Sequence, residues 1–280
     1  MKKIIAMAAL LACFQAFAQL TPQEYKAKYE RQVRNVGYDG VGVETILNNW
    51  ESVAPDDPDM RLGRFYYYLY KSRNTEMVPM DQARYLGKAP SVTLKDADGN
   101  PVYYFEVVMY DDACFAEALR VIDALVRDYP YELNYRCIKI TNLMSYEKEQ
   151  PVLSASELND LISMQSSKHP AWTFQGEAIT DEDFCSLIQE YCATLYSIGS
   201  EKSYEEFNSI SVSMSRLYPK ETGFLDNQGS YWLVCQRNYK KAISFYDKAL
   251  KIDPEDAVAI RNKKIAQRMI DQSKSNSKKK

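Results

Sequence analysis

The sequence predicts an all-α fold, an α-solenoid of stacked helix hairpins carrying one small inserted β-hairpin. Three observations point there. Four segments share an apolar stripe at helical spacing that runs into a proline, a repetition of the kind that stacked repeats require. Between them lie stretches opened by threonine or serine caps. Strand-like segments flanking a turn rich in Asp, Gly and Asn are confined to residues near 91–108.

The first eighteen residues read as a secretory signal. Lys2 and Lys3 make a positive start, Ile4 to Phe17 is apolar, and Ala16-Phe17-Ala18 ahead of Gln19 is a small-x-small cleavage site. That run is too short to span a bilayer comfortably, and polar sequence follows at once. Leu10-Leu11-Ala12-Cys13 also resembles a lipobox, but Leu11 is bulky for its place and a second apolar run follows Cys13. The expectation is an exported chain, periplasmic or envelope-associated, cut after Ala18, with lipoprotein attachment through Cys13 the less favoured route. No later stretch is apolar enough for a membrane span.

Residues 19–146 are expected to hold the N-terminal helix pairs. Thr21-Pro22-Gln23-Glu24 opens the first helix with a threonine cap, proline at the first helical position and a capping-box glutamate. Val43, Ile46, Leu47, Trp50 and Ala54 then form the first stripe, stopped by Pro55 because proline disfavours helical geometry in the residue before it. Met60 to Lys71 is a tyrosine-rich partner helix. Ser91 to Leu94 and Val102 to Val108, joined by Asp96-Ala97-Asp98-Gly99-Asn100-Pro101, make the β-hairpin. Phe115, Ala118, Leu119, Ile122, Leu125, Val126 and Tyr129 are the second stripe, ended by Pro130 and partnered by Tyr131 to Tyr146.

Residues 147–179 are expected to interrupt the pattern with a short helix, capped by Ser154 with Glu157, and an irregular loop around His169, Pro170, Trp172 and Phe174. Residues 180–272 resume it. Thr180 with Asp183 caps a helix to Ile198, and Tyr204, Phe207, Ile210, Met214 and Leu217 precede Pro219. A helix from Leu225 to Gln236 follows. Tyr239, Ala242, Ile243, Tyr246, Ala249 and Leu250 then precede Pro254, and Asp256 starts a closing helix to about Gln272. Residues 273–280, ending in Lys278-Lys279-Lys280, form a polar tail expected to be disordered.

These residues resemble the tetratricopeptide repeat (TPR) family. Leu225, Gly229 and Trp232 match its helix A positions, and Tyr239, Ala242, Tyr246, Ala249 and Pro254 match helix B. Pro219 and Pro254 are 35 residues apart where the family has 34, which one extra residue in the turn Gln236-Arg237-Asn238 would explain. Val43 and Phe207 replace the small helix B residue in two earlier repeats. The resemblance implies a curved concave surface that binds peptides or partner domains.

Other chemistries find little support. Of 35 basic and 38 acidic side chains, Lys2 and Lys3 leave with the signal, and the mildly acidic remainder argues against nucleic acid. Five cysteines remain once Cys13 is gone, an odd and widely spaced set that is no disulfide framework, although a Cys114–Cys137 bridge stays open. Cys185 and Cys192 share a helix about 10.5 Å apart, beyond disulfide reach. Asp96, Asp98 and Asn100 have the spacing of calcium ligands, but Pro101 and Val107 stand where the loop needs glycine and glutamate. His169 is the single histidine, so a multi-histidine zinc site is excluded, and no nucleophile elbow or phosphate-cradling loop accompanies it. No cofactor is expected.

The expected function is a non-enzymatic scaffold of the cell envelope that binds a protein or peptide. The alternative is glycan binding by aromatic platforms such as Tyr66, Tyr67, Tyr68 and Tyr70, most of which should pack between helices. By the resemblance, the groove would be lined by Tyr196, Asp226, Ser230 and Leu233, with Val258, Arg261, Ile265 and Arg268 from the closing helix. Asp226 stands where an acidic-tail clamp would need lysine, and Arg261 and Arg268, about two turns apart, suit a ligand with one acidic and several apolar groups.

Overall fold

The computed structural model describes residues 20–277; the expected signal with its expected cleavage site, Cys13 and Lys278-Lys279-Lys280 lie outside them. The chain forms two compact units, one holding residues through Asn74 together with Tyr110–Asp128, the other Thr75–Met109 with Tyr129 onward.

The first unit contains α1 (Pro22–Val36), α2 (Val43–Val53), α3 (Pro58–Lys71) and α4 (Asp112–Asp128). At the start of α1 the Thr21 hydroxyl accepts the Glu24 N–H while the Glu24 carboxylate accepts the Thr21 N–H at 2.8 Å, the reciprocal box its sequence predicts. The α2 stripe Val43, Ile46, Leu47 and Trp50 is buried against Tyr25 and Tyr29 of α1 and Met60 and Tyr67 of α3. Each such aliphatic side chain removed from water contributes about 1.5–3 kcal/mol. The Trp50 indole N–H reaches the Asp57 carboxylate at 3.1 Å, and the same carboxylate caps α3 ahead of Pro58. On α4, Phe115, Ala118, Ile122 and Leu125 are buried. Tyr129, the expected end of that stripe, lies beyond the helix and is exposed.

Between α3 and α4 the chain forms a three-stranded sheet, β1 (Arg73–Met80), β2 (Val92–Lys95) and β3 (Pro101–Tyr110), in the order β1-β3-β2, of which Thr75–Met109 belong to the second unit. Strands β2 and β3 pair antiparallel from Val92 opposite Tyr104 to Lys95 opposite Pro101. The Asp96 carboxylate accepts the backbone N–H groups of Asp98 and Asn100 at 2.9 and 2.8 Å, which is turn chemistry. Strand β1 is an addition to the expected hairpin. Its sequence has no clean alternation and includes Pro79, which an edge position tolerates.

Seven helices follow: α5 (Leu133–Glu147), α6 (Val152–Lys168), α7 (Asp181–Ile198), α8 (Glu201–Leu217), α9 (Gly223–Ser230), α10 (Tyr239–Ile252) and α11 (Ala257–Ser277). Helix α5 packs on α6, α7 on α8, α9 on α10, and α10 on α11. Leu133, Ile140, Leu158, Leu161, Phe184, Ile188, Leu195, Phe207, Ile210 and Met214 share one core.

Several expectations need correction. The helix within residues 147–179 is not short, because α6 runs from Val152 to Lys168 and completes a pair with α5; the loop around His169, Pro170, Trp172 and Phe174 follows it. Its first turn is capped by Glu147, which accepts the Ser154 N–H and hydroxyl at 2.9 and 2.7 Å. Glu157 pairs instead with Lys139. The closing helix continues through Ser277, five residues past its expected end at Gln272, with no proline or glycine to stop it. Cys114 and Cys137 are free thiols.

Candidate functional site

The last helices of the second unit enclose a groove of about 810 Å³. Helix α7 supplies Gln189, Ala193 and Tyr196, spaced by four and three so that they share one face, and α8 supplies Phe207. Tyr196 is held by ring contacts with Tyr204 and Phe207 at 5.5 and 5.3 Å. Below it Gln189 and Asn227 exchange two amide hydrogen bonds, both 3.0 Å, tying α7 to α9.

After α9 the chain makes a π-helical turn, Tyr231–Cys235, closed by the Gln236 N–H to the Tyr231 carbonyl. This wider turn takes up the extra residue expected in the loop at 236–238. It places Leu233 and Val234 on the groove and leads into Arg237, a non-glycine residue at φ 49°. The Lys241 ammonium covers the Trp232 ring at 3.4 Å, so that face of the indole is occupied. The helix A and B match holds in packing: a Cβ at Gly229 would stand 2.4 Å from the Tyr246 ring, which is fully buried with Ala242 and Ala249.

Helix α11 forms the opposite wall with Val258, Arg261, Asn262, Ile265 and Met269. Val234, Val258, Ile265 and Met269 each leave 38–44% of their surface exposed, an uncommon concentration of large apolar side chains facing water. Among the described residues no acidic side chain lines the groove. Among the described residues neither Arg237 nor Arg261 has a carboxylate partner; Arg261 makes one long contact, 3.3 Å, with the Asn262 amide oxygen.

Of the expected groove residues, the structure brings together Tyr196, Ser230, Leu233, Val258, Arg261 and Ile265. Two are elsewhere. Asp226 is 5% exposed and turned toward Asp256 at the start of α11, so it presents no charge to the groove. Arg268 is exposed off the lining, because a straight helix drifts about 20° per heptad and carries it past the face that Arg261 occupies. The residues that sequence reasoning missed include Gln189, Asn227, Val234, Arg237 and Met269. Met269 was accessible from the spacing of four beyond Ile265, whereas Arg237 follows a π turn that no periodicity announces.

The other candidates are structural. His169 ends α6 in a left-handed conformation, its ring between the Gln165 amide at 3.3 Å and Asp181 at 3.4 Å. Gln165, almost fully buried, also accepts the Trp172 indole N–H at 2.7 Å, so this network pins the loop. In the first unit Tyr38 lies against Tyr66 and Tyr70 at 5.0 and 4.6 Å, and the Arg73 guanidinium covers Tyr70. Tyr67 is buried. Among the described residues no group of three or more metal-ligating side chains converges, and no helix is long and apolar enough to cross a membrane.

No family model matches the chain, and no curated protein matches it. Among solved structures it is similar to YrrB, described as a TPR protein with an unusual peptide-binding site, with 13% identity, a TM-score of 0.37, and coverage of 84% of this chain and 97% of that one. It is also similar to the P58(IPK) TPR domain, with 12% identity, a TM-score of 0.32, and coverage of 90% of this chain and 56% of the other. At these scores neither defines a ligand for this chain. The stacked helix hairpins and the groove rest on its own residues.

Proposed function

We propose that this chain is a non-enzymatic scaffold that binds a protein partner through the groove of its second unit, and that it works in the bacterial cell envelope. The occupant is an extended peptide segment with apolar side chains and a carboxylate. One observation carries the reading: exposed Val234, Val258, Ile265 and Met269 stand beside Arg237 and Arg261, with no acid in the lining among the described residues. Apolar side chains of the ligand would cover the first four, and a carboxylate would take charge-assisted hydrogen bonds from the guanidinium groups. The tyrosine run does not favour a glycan platform, because Tyr38 already lies against Tyr66 and Tyr70.

A fluorescence-polarisation screen tests this with peptides that pair apolar residues with aspartate, glutamate or a free C-terminus, against amidated and lysine-substituted controls. The double change Arg237→Glu and Arg261→Glu should weaken binding of the selected peptide at least tenfold, about 1.4 kcal/mol. Undiminished affinity in a folded double variant would remove the groove from the proposal.

A further inference from the structure

One buried charged group plays no part in the groove lining. Asp226 of α9 is 5% exposed, and its Oδ1 has no hydrogen-bond donor. Its polar neighbour is a second carboxyl group, Asp256, which caps α11 by accepting the N–H groups of Val258 and Ala259, both at 3.0 Å. From α10 the Tyr246 phenol is the titratable group nearby, and among the described residues no lysine, arginine or histidine contributes to the charge balance of Asp226. An ionised carboxylate here would be desolvated, would lack a donor and would face a like charge.

We propose that a single proton held between Asp226 and Asp256 latches the closing helix α11 onto α9, and that losing it loosens the groove wall carrying Val258, Arg261 and Ile265. The consequence for binding rests on the groove reading above; the latch itself does not. Burial, and after it the Asp256 carboxylate, pushes Asp226 up to about 7. Burial works the other way on Asp256, but the backbone N–H of Ala259, the Thr222 hydroxyl and Asp226 hold it below the ordinary aspartate value.

The sign follows from linkage. The folded chain keeps a proton that an unfolded aspartate gives up near pH 4, so the latch is fully stabilising below about pH 4 and loses its contribution as pH rises toward 7. Relative to Asp226→Asn, which stays neutral, the unfolding constant of the native chain should rise about tenfold per pH unit across that window and level off above it. Two ligand-free measurements on the full chain test this. The infrared carbonyl band of a buried carboxylic acid should vanish near neutral pH in the native chain and be missing in Asp226→Asn. The protection factors of the amides in the first turns of α11, which remove the intrinsic rise of exchange with pH, should fall over the same range only in the native chain. A native chain without that band at pH 5.5, or parallel pH profiles in the two proteins, would overturn the latch. Neither measurement depends on peptide binding, so its failure and the failure of the groove reading are separable.

Discussion

Gly229 is the residue whose reason for being small is most directly visible. Alanine there would ordinarily favour a helix by roughly 0.5–1 kcal/mol. Its Cβ, however, would lie 2.4 Å from Cε1 of Tyr246, and that ring is fully buried with Ala242 and Ala249 on its own helix. Overpacking of this kind costs about 1–3 kcal/mol, so the clash outweighs the propensity. Gly229→Ala should therefore lower the denaturant midpoint, and a raised midpoint would mean that the ring can move aside. The spacing of Gly229, Ala242 and Tyr246 was legible in the sequence because each side of this contact has a characteristic size. Asp226 was not, since its role depends on Asp256, thirty positions away, and no local pattern links two aspartates into a proton-sharing pair.

At the scale of elements, helices were read well wherever an apolar stripe and a cap coincided. The Thr180 and Asp183 box forms as its residues predict, and the stripes of α2 and α8 bury their central residues. Helix α6 was read short because Ser154 and Glu157 imitate a capping box while the true cap comes from the preceding helix. Glu147, the last residue of α5, accepts the N–H groups of Leu153 and Ser154. Losing a side-chain cap costs about 1 kcal/mol. In Glu147→Ala the amides of Leu153 and Ser154 should exchange faster, whereas Glu157→Ala should leave them protected, since Glu157 serves Lys139. Equal acceleration in both variants would return the cap to Glu157. Strand β1 escaped for a different reason: an edge strand is specified by the partner it pairs with, and Pro79 masks the remaining signal.

At the scale of the whole molecule, the stacked helix hairpins were legible because repetition multiplies a weak signal, whereas the groove was legible only in part because it is assembled from turns as well as helices. Export is the proposal that concerns the entire chain, and the start of the described fold bears on it. Leu20 packs against the cluster around Tyr25, Tyr29 and Trp50, and Thr21 closes the capping box of α1. Cleavage after Ala18 would leave both in place, with Gln19 as the new first residue and the box intact. A cut a few residues later would remove the threonine hydroxyl and leave the Glu24 N–H without its partner, at a cost of about 1 kcal/mol. Lys2 and Lys3, the apolar run and Ala16-Phe17-Ala18 thus converge on a site that spares the first helix. Intact-mass measurement on protein from its native host should give the mass of residues 19–280 with no added lipid. An acylated chain beginning at Cys13 would show that the lipobox is read, and a mass that retains Met1 through Ala18 would remove export from the proposal altogether.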